Sequence, residues 1–234
     1  VLAKQVPDTR NVGKDAMTPE GTVNRAALPA IFNPEDLNAL EMALALKDET
    51  EGSTVHILTM GPPRAADIIR DAMFRGADGG YLLTDRKFAG ADTLATSYAL
   101  SCALRKIRPD VIVAGRQAID GDTAQVGPQV AEKLGWPQVT YAEELLEIKA
   151  DSLVVKRRLE HGTEIVECPL PLVMTVNGSA PECRPQNAKR VMKYKFAQTK
   201  SEIAAAPDCM ASAMASAKLA KSTVASRTRK ITIL

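Results

Sequence analysis

From Val1 to about Thr140, short and wholly apolar runs alternate with stretches whose apolar residues recur at helical spacing. A strand with no polar face must be covered on both sides, and connecting helices supply that cover. The pattern therefore predicts an α/β fold, a parallel sheet with helices on both faces. The strands are expected at Val1 to Val6, Thr54 to Met60, Tyr81 to Thr84, Val111 to Ala114 and Gln138 to Thr140. Between them, Asn33-Pro34 opens a helix: Asn suits the cap, Pro the first turn, and Glu35 and Asp36 the positive end of the dipole. Leu37, Leu40 and Leu44 supply its inner face. Further helices are expected from Ala65 to Gly76, Asp92 to Ile107 and Thr123 to Leu134. Residues 10–30 are polar and irregular, and a loop that long within a domain is usually functional.

After residue 140 the pattern changes. Leu145 to Ile148, Leu153 to Leu159, Glu164 to Pro169 and Leu172 to Val176 read as a small antiparallel appendix. This divides the chain into an α/β domain over 1–180, with antiparallel strands in 144–176, and a C-terminal segment over 181–234. The segment is basic at first and rich in Ala, Ser and Lys from 204 to 226. It has too few large apolar groups for a core of its own, so it is either disordered or an arm that orders on a partner. Lys189 to Lys195 reads equally as a solvated basic stretch or a contact surface.

Composition removes several functions. Across 234 residues, 30 basic and 28 acidic side chains leave a net charge of +2, which gives no polyanion-binding surface and no nucleic-acid partner. No apolar run approaches the ~18 residues that a membrane span requires. Cys102, Cys168, Cys183 and Cys209 form no CxxC pair, and His56 and His161 are the only histidines. Zinc sites, disulfide frameworks and His-based hydrolases are thereby disfavoured; no metal is expected, and the thiols read as reduced in a cytoplasmic protein. The chain opens on Val1 within a strand-like run, so leading residues are expected to precede it.

In open parallel sheets a ligand sits beyond the carboxyl ends of the strands. Four candidate loops occupy that position: Lys4-Gln5-Val6-Pro7-Asp8-Thr9, Met60-Gly61-Pro62-Pro63, Asp85 to Thr96, and Gly115 to Gly127. In the last, Gly121 permits a turn, and Thr123, Ala124, Gln125, Val126 and Gly127 open a helix whose unpaired N–H groups suit a phosphate. Asp120 and Asp122 would repel a phosphate and instead cap the helix or bond ribose hydroxyls. Spacing alone leaves a capped helix that holds nothing equally open. Asp92-Thr93-Leu94-Ala95-Thr96-Ser97 is a second helix start with clustered hydroxyls, and Met60-Gly61-Pro62 could admit a ring close to the backbone. Neither GxGxxG nor GxxxxGK[ST] is present, which argues against a dehydrogenase-type Rossmann site and a Walker ATPase.

Taken together, Lys4-Gln5-Val6-Pro7-Asp8-Thr9, Asn33-Pro34-Glu35-Asp36 and Gly115-Arg116-Gln117-Ala118-Ile119-Asp120-Gly121-Asp122-Thr123-Ala124-Gln125-Val126-Gly127-Pro128 resemble the small (β) subunit of electron-transfer flavoproteins. A further segment runs from Val155 to Thr175, with His161 where the family usually has an acidic residue or Gly. The resemblance implies a heterodimer with a larger α subunit carrying FAD, and a C-terminal arm around that partner. Met60-Gly61-Pro62-Pro63 and the stretch from Asp85 to Ser97 are similar to the electron-bifurcating branch. There the small subunit holds its own FAD, reduced by NADH, and passes one electron to ferredoxin or flavodoxin. The other goes through the α-subunit FAD to an acyl-CoA dehydrogenase or related flavoenzyme. The alternative is the housekeeping branch, in which the same pocket holds a structural AMP.

The resemblance also assigns roles. Gly115, Gln117, Asp120, Asp122, Thr123, Gln125 and Gly127 would lie along adenosine and phosphates, with Gly121, Ala124 and Val126 completing the loop. Asp92, Thr93 and Thr96 would lie nearer the diphosphate and flavin. Lys4, Gln5, Val6, Pro7 and Asn33 would border the base or ribose, and Met60, Gly61 and Pro62 the ring. No catalytic acid–base residue is implied. Near the basic segment, where the family docks a dehydrogenase, Ala188 stands in the place of a common Leu.

Overall fold

The computed structural model describes residues 1–8, 28–199, 202 and 232–233. The predicted 10–30 loop, up to residue 27, and the 204–226 tail lie outside them. In chain order the elements are β1 (Gln5–Pro7), β2 (Ala30–Phe32), α1 (Pro34–Glu49), β3 (His56–Met60), α2 (Ala66–Arg75), β4 (Gly79–Leu83), α3 (Thr93–Ile107) and β5 (Val111–Gly115). There follow α4 (Val126–Leu134), β6 (Gln138–Ile148), β7 (Ser152–Leu159), β8 (Gly162–Pro169), β9 (Leu172–Val176), α5 (Ala188–Tyr194) and β10 (Thr232–Ile233).

Residues 1–3 join two halves of one sheet. Leu2 forms parallel bridges to Leu58 of β3 and Ala114 of β5. Its N–H donates to Val113 O at 2.8 Å, and Ala3 N–H to Leu58 O at 3.1 Å. On one side lie β3, β4 and β10, all parallel; on the other lie β5, β9 and β6, parallel, then β7 and β8, antiparallel. The wholly apolar strands have the expected consequence. Ile57, Leu82, Val113 and Met174 join one buried cluster with α1 and α2, while their neighbours Leu58, Leu83, Ile112, Ala114 and Val173 join a second with α3 and α4. Period-two alternation thus sends successive residues into two cores, one on each face.

Three expectations are corrected. The predicted first strand does not run unbroken to Val6: after the bridge at Leu2 the chain turns off, and Gln5–Pro7 pairs antiparallel with Ala30–Phe32. The predicted strands at Gln138 and Leu145 are one eleven-residue strand, β6, that absorbs bulges near Ala142 and Glu144. Most consequential, Leu172–Val176 is no part of an appendix. It lies between β5 and β6, parallel to both, and every residue in it is buried. The β7–β8 hairpin is the excursion, and the chain returns from it into the core.

Residues 181–199 pack onto the body. Asn38 donates to the carbonyls of Ala180 and Pro181, each at 2.9 Å. Arg184 pairs with Glu41 and Asp48, and Arg75 donates to Arg184 O at 2.8 Å. Arg70 donates to Ala197 O at 2.7 Å and pairs with Glu202. The basic stretch forms α5, capped by Asn187, which accepts from Arg190 N–H, and Tyr194 is buried against the core. No helix among the described residues is long and apolar enough to cross a membrane.

Candidate functional site

A cleft of about 650 Å³ opens at the carboxyl ends of the central strands. Its walls come from the turn after residues 1–3, the β3–α2 turn, the β4–α3 loop and the β5–α4 loop. These are the four loops nominated above. Lys4, Gln5, Met60, Gly61, Pro62, Asp92, Thr93, Thr96, Gly115, Gln117, Gly121, Asp122, Thr123, Ala124, Gln125, Val126 and Gly127 all line it. Val6, Pro7, Asn33 and Asp120 do not. Leu2, Asp36, Leu58 and Leu100, outside the nominated loops, also line it, as do Phe88 and Arg116 within them.

The loop from Gly115 to Gln125 is held from below by Asn33-Pro34-Glu35-Asp36. Asn33 makes no side-chain cap bond to α1. It is fully buried, donates through Nδ2 to Gln117 O at 2.8 Å and accepts from Ile119 N–H at 3.2 Å. Glu35 accepts from Gln117 N–H at 2.9 Å and from Arg116 Nη2 at 2.9 Å. Asp36 accepts from Lys4 N–H at 2.8 Å and Gly115 N–H at 3.1 Å. Asn33 therefore stands behind the wall, because its amide satisfies loop backbone that would otherwise be buried unpaired. Asp120, its side chain 1% exposed, is turned inward to pair with Lys4 Nζ at 2.6 Å. Val6 and Pro7 are buried in the β1–β2 pair.

The turn glycine predicted at 121 is not where the backbone is strained: Asp122 (φ 48°) and Ala124 (φ 52°) take the left-handed conformation. Gly115 and Gly127 are constrained instead by space. A Cβ on Gly115 would lie 2.4 Å from Asp36 Oδ1, and one on Gly127 would lie 2.5 Å from Thr175 Cγ2. Each left-handed non-glycine residue costs roughly 1–2 kcal/mol. The same stretch carries a row of donors without backbone partners. Among the described residues, the N–H groups of Thr123, Ala124, Gln125, Val126 and Gly127 find no backbone acceptor in the protein. Helix α4 begins at Val126, later than expected, so this row is a concave nest leading into a helix start.

Helix α3 begins beside it. Asp92 caps α3 by accepting from Ala95 N–H at 2.8 Å. The Thr93 hydroxyl donates to Gln125 Oε1 at 2.8 Å and accepts from Gln129 Nε2 at 3.4 Å, tying the two helix starts together. Ser97, one of the clustered hydroxyls, bonds back to Leu94 O within its helix and does not line the cleft.

Charge on the walls is largely self-compensated. Lys4 is taken up by Asp120, Arg116 by Glu35, and Asp122 accepts from Gln117 Nε2 at 2.8 Å. Backbone N–H groups and helix dipoles are thus the main attraction for an anion. On the β3 side the wall is apolar, from Leu58, Met60, Phe88 and Leu100. Burial pushes the Asp36 carboxyl up to about 7, against the opposing effect of its donors Lys4 N–H, the Asn33 side chain and Gly115 N–H. A second cavity of about 460 Å³, at the other end of the sheet, is lined by Arg105, Arg108, Asp110 and Trp136 among others. No sequence signal had marked it.

The family described as "Electron transfer flavoprotein domain" matches residues 20–201. The Caffeyl-CoA reductase-Etf complex subunit CarD of Acetobacterium woodii is 50% identical over 176 residues, 75% of this chain and 66% of that protein. The Electron transfer flavoprotein subunit beta of Clostridium acetobutylicum is 50% identical over 175 residues, again 75% and 66%. The Acryloyl-CoA reductase electron transfer subunit gamma of Anaerotignum propionicum is 52% identical over 178 residues, 75% and 65%. The matches span just under two thirds of these relatives' own length. The chain belongs to the electron transfer flavoprotein family, as a β-type subunit.

Proposed function

We propose that this chain is the small subunit of an electron-bifurcating flavoprotein heterodimer and that its cleft holds FAD. The observation that carries the reading is the row of unpaired N–H groups from Thr123 to Gly127, facing a cleft whose other wall is apolar. A diphosphate suits the first feature and a flat isoalloxazine the second. A volume of about 650 Å³ lies within the ~300–1,000 Å³ typical of cofactor pockets. A lone AMP would use the nest and leave the half-exposed Met60 and Phe88 uncovered.

In this reading Gly115, Gln117, Gly121, Asp122 and Thr123 to Gly127 follow the adenosine and diphosphate. Asp92, Thr93 and Thr96 lie nearer the flavin, and Met60, Gly61 and Pro62 border its ring. Lys4 and Gln5 close the base or ribose side. The chemistry supplied there is acceptance of a hydride from NADH and release of its two electrons separately, one to ferredoxin or flavodoxin, one through the α-subunit FAD to an acyl-CoA dehydrogenase-type partner. The chain's own residues bind, orient and exclude water, and none is assigned a proton-transfer step. The CoA-reductase names of two relatives favour a partner of that kind. The C-terminal segment over 181–234 is assigned to wrapping the α subunit, and the complex to the cytoplasm.

Nucleotides released on denaturing the purified heterodimer test the reading. Two FAD per dimer supports it; one FAD with one AMP replaces it by the housekeeping alternative.

A further inference from the structure

Two walls of the cleft come from chain segments more than a hundred residues apart, and one side chain touches the backbone of both. Asp36 Oδ2 accepts from Lys4 N–H at 2.8 Å, and Oδ1 accepts from Gly115 N–H at 3.1 Å. Asp36 is 6% exposed and lines the cleft. Gly115 has no side chain because the carboxylate occupies that space: a Cβ there would stand 2.4 Å from Oδ1.

We infer that Asp36 is the positioning residue of the nucleotide cleft, accepting one N–H from each wall and so fixing the gap between the Lys4–Gln5 turn and the Gly115–Gly127 loop. Only an acceptor at both oxygens can do this. An Asn in the same place would turn its amide nitrogen toward one of the two N–H groups, and two donors would face each other.

The arrangement is not one that stability alone would select. Burying a carboxylate costs free energy, and among the described residues no cationic side chain pairs with it: the Lys4 ammonium pairs with Asp120 and the Arg116 guanidinium with Glu35, and only the Val1 amino group adds a favourable charge nearby. Glu35, next to it on α1, adds like charge. An uncharged residue of the same shape would relieve that cost but lose the acceptor at one of the two N–H groups. Nucleotide affinity should therefore follow the ionisation of Asp36, which a merely space-filling role would not require. It rests on the proposed reading only in that the cleft takes a nucleotide, whichever nucleotide that is.

The test uses the full chain in its heterodimer, stripped of nucleotide, with AMP and FAD as separate probes. In Asp36→Asn, binding of the probe that the wild type retains should weaken by about tenfold or more at pH 8, where the wild-type carboxylate is ionised, and the gap should narrow as the pH falls below about 7. Unchanged affinity at pH 8 overturns the inference, and so does a loss of affinity that is the same at pH 6 and pH 8. Retention of AMP but not FAD by the wild type would refute the bifurcating reading and leave the Asp36 test standing. If Asp36→Asn gives no folded dimer, hydrogen exchange of the nucleotide-free wild type decides. Gly115 N–H should be protected without nucleotide, while the N–H groups of 123–127 are protected only with it. Equal, fast exchange of both would overturn the inference.

Discussion

Gly115→Ala probes the floor of the site at its tightest point. The new Cβ would meet Asp36 Oδ1 at 2.4 Å, Glu35 C at 2.7 Å and Asp36 N at 2.8 Å. Two of those atoms are helix backbone and cannot rotate away, so either the loop lifts or α1 shifts. Overpacking of this kind costs about 1–3 kcal/mol. Lifting the loop also breaks the Gly115 N–H bond to a buried carboxylate, worth about 1.5–3 kcal/mol. Together these give about 2.5–6 kcal/mol, which lowers the melting temperature of a chain this size by about 5–24 °C. Gly121→Ala is the control. It lies in the same loop, has nothing within 4 Å of its Cβ position and is not in the left-handed region, so the change should stay within about 0.5 kcal/mol. Thermal melts of the two variants, followed by circular dichroism, read the comparison directly. A silent Gly115→Ala, or a Gly121→Ala equally damaging, would refute the packing described beneath the loop.

Other outcomes follow from the same contacts. Thr96→Val removes a hydroxyl that lines the cleft and should weaken FAD retention without lowering the melting temperature; unchanged FAD content takes Thr96 out of the site. Arg184→Ala cuts the ties to Glu41 and Asp48, and since the pairs are half-exposed the cost should be only about 1 kcal/mol, with faster proteolysis within 181–199 as the more sensitive readout. The pH profile carries a signature of Asp36. Its folded value is raised from the usual carboxyl range to about 7, so its contribution to stability is fully present below the unfolded value and is lost as pH rises through about 7. Melting temperatures of the nucleotide-free protein should therefore show a decline over that window that Asp36→Asn removes; identical profiles would contradict the burial described for this group.

What was legible in the sequence follows the range of the interactions concerned. Apolar runs such as Ile57-Leu58 and Ile112-Val113-Ala114 are buried on both faces, and their composition alone required a covered parallel sheet. The cleft walls were legible because ligand position follows from sheet topology. Asn33 was read as a helix cap because that is its local chemistry, whereas its actual partners, Gln117 and Ile119, are 84 and 86 residues away. Gly115 and Gly127 are glycines for reasons visible only with Asp36 and Thr175 in place, while Gly121 looked like the turn residue and Asp122 and Ala124 carry the strain. Leu172–Val176 was misplaced although its composition is that of a doubly covered strand; nothing local shows that β7 and β8 are an excursion from which the chain returns. Asp36 escaped notice as a site residue because Asp in a first helical turn already has a sufficient local explanation.

Stepwise anaerobic addition of NADH to the purified heterodimer, followed by its visible spectrum, tests the central claim most directly. If the β-subunit cleft seats a flavin that takes hydride from NADH, the spectrum should bleach to an extent that requires two flavins per dimer. A spectrum that accounts for a single flavin, with AMP recovered from the protein afterwards, would contradict it.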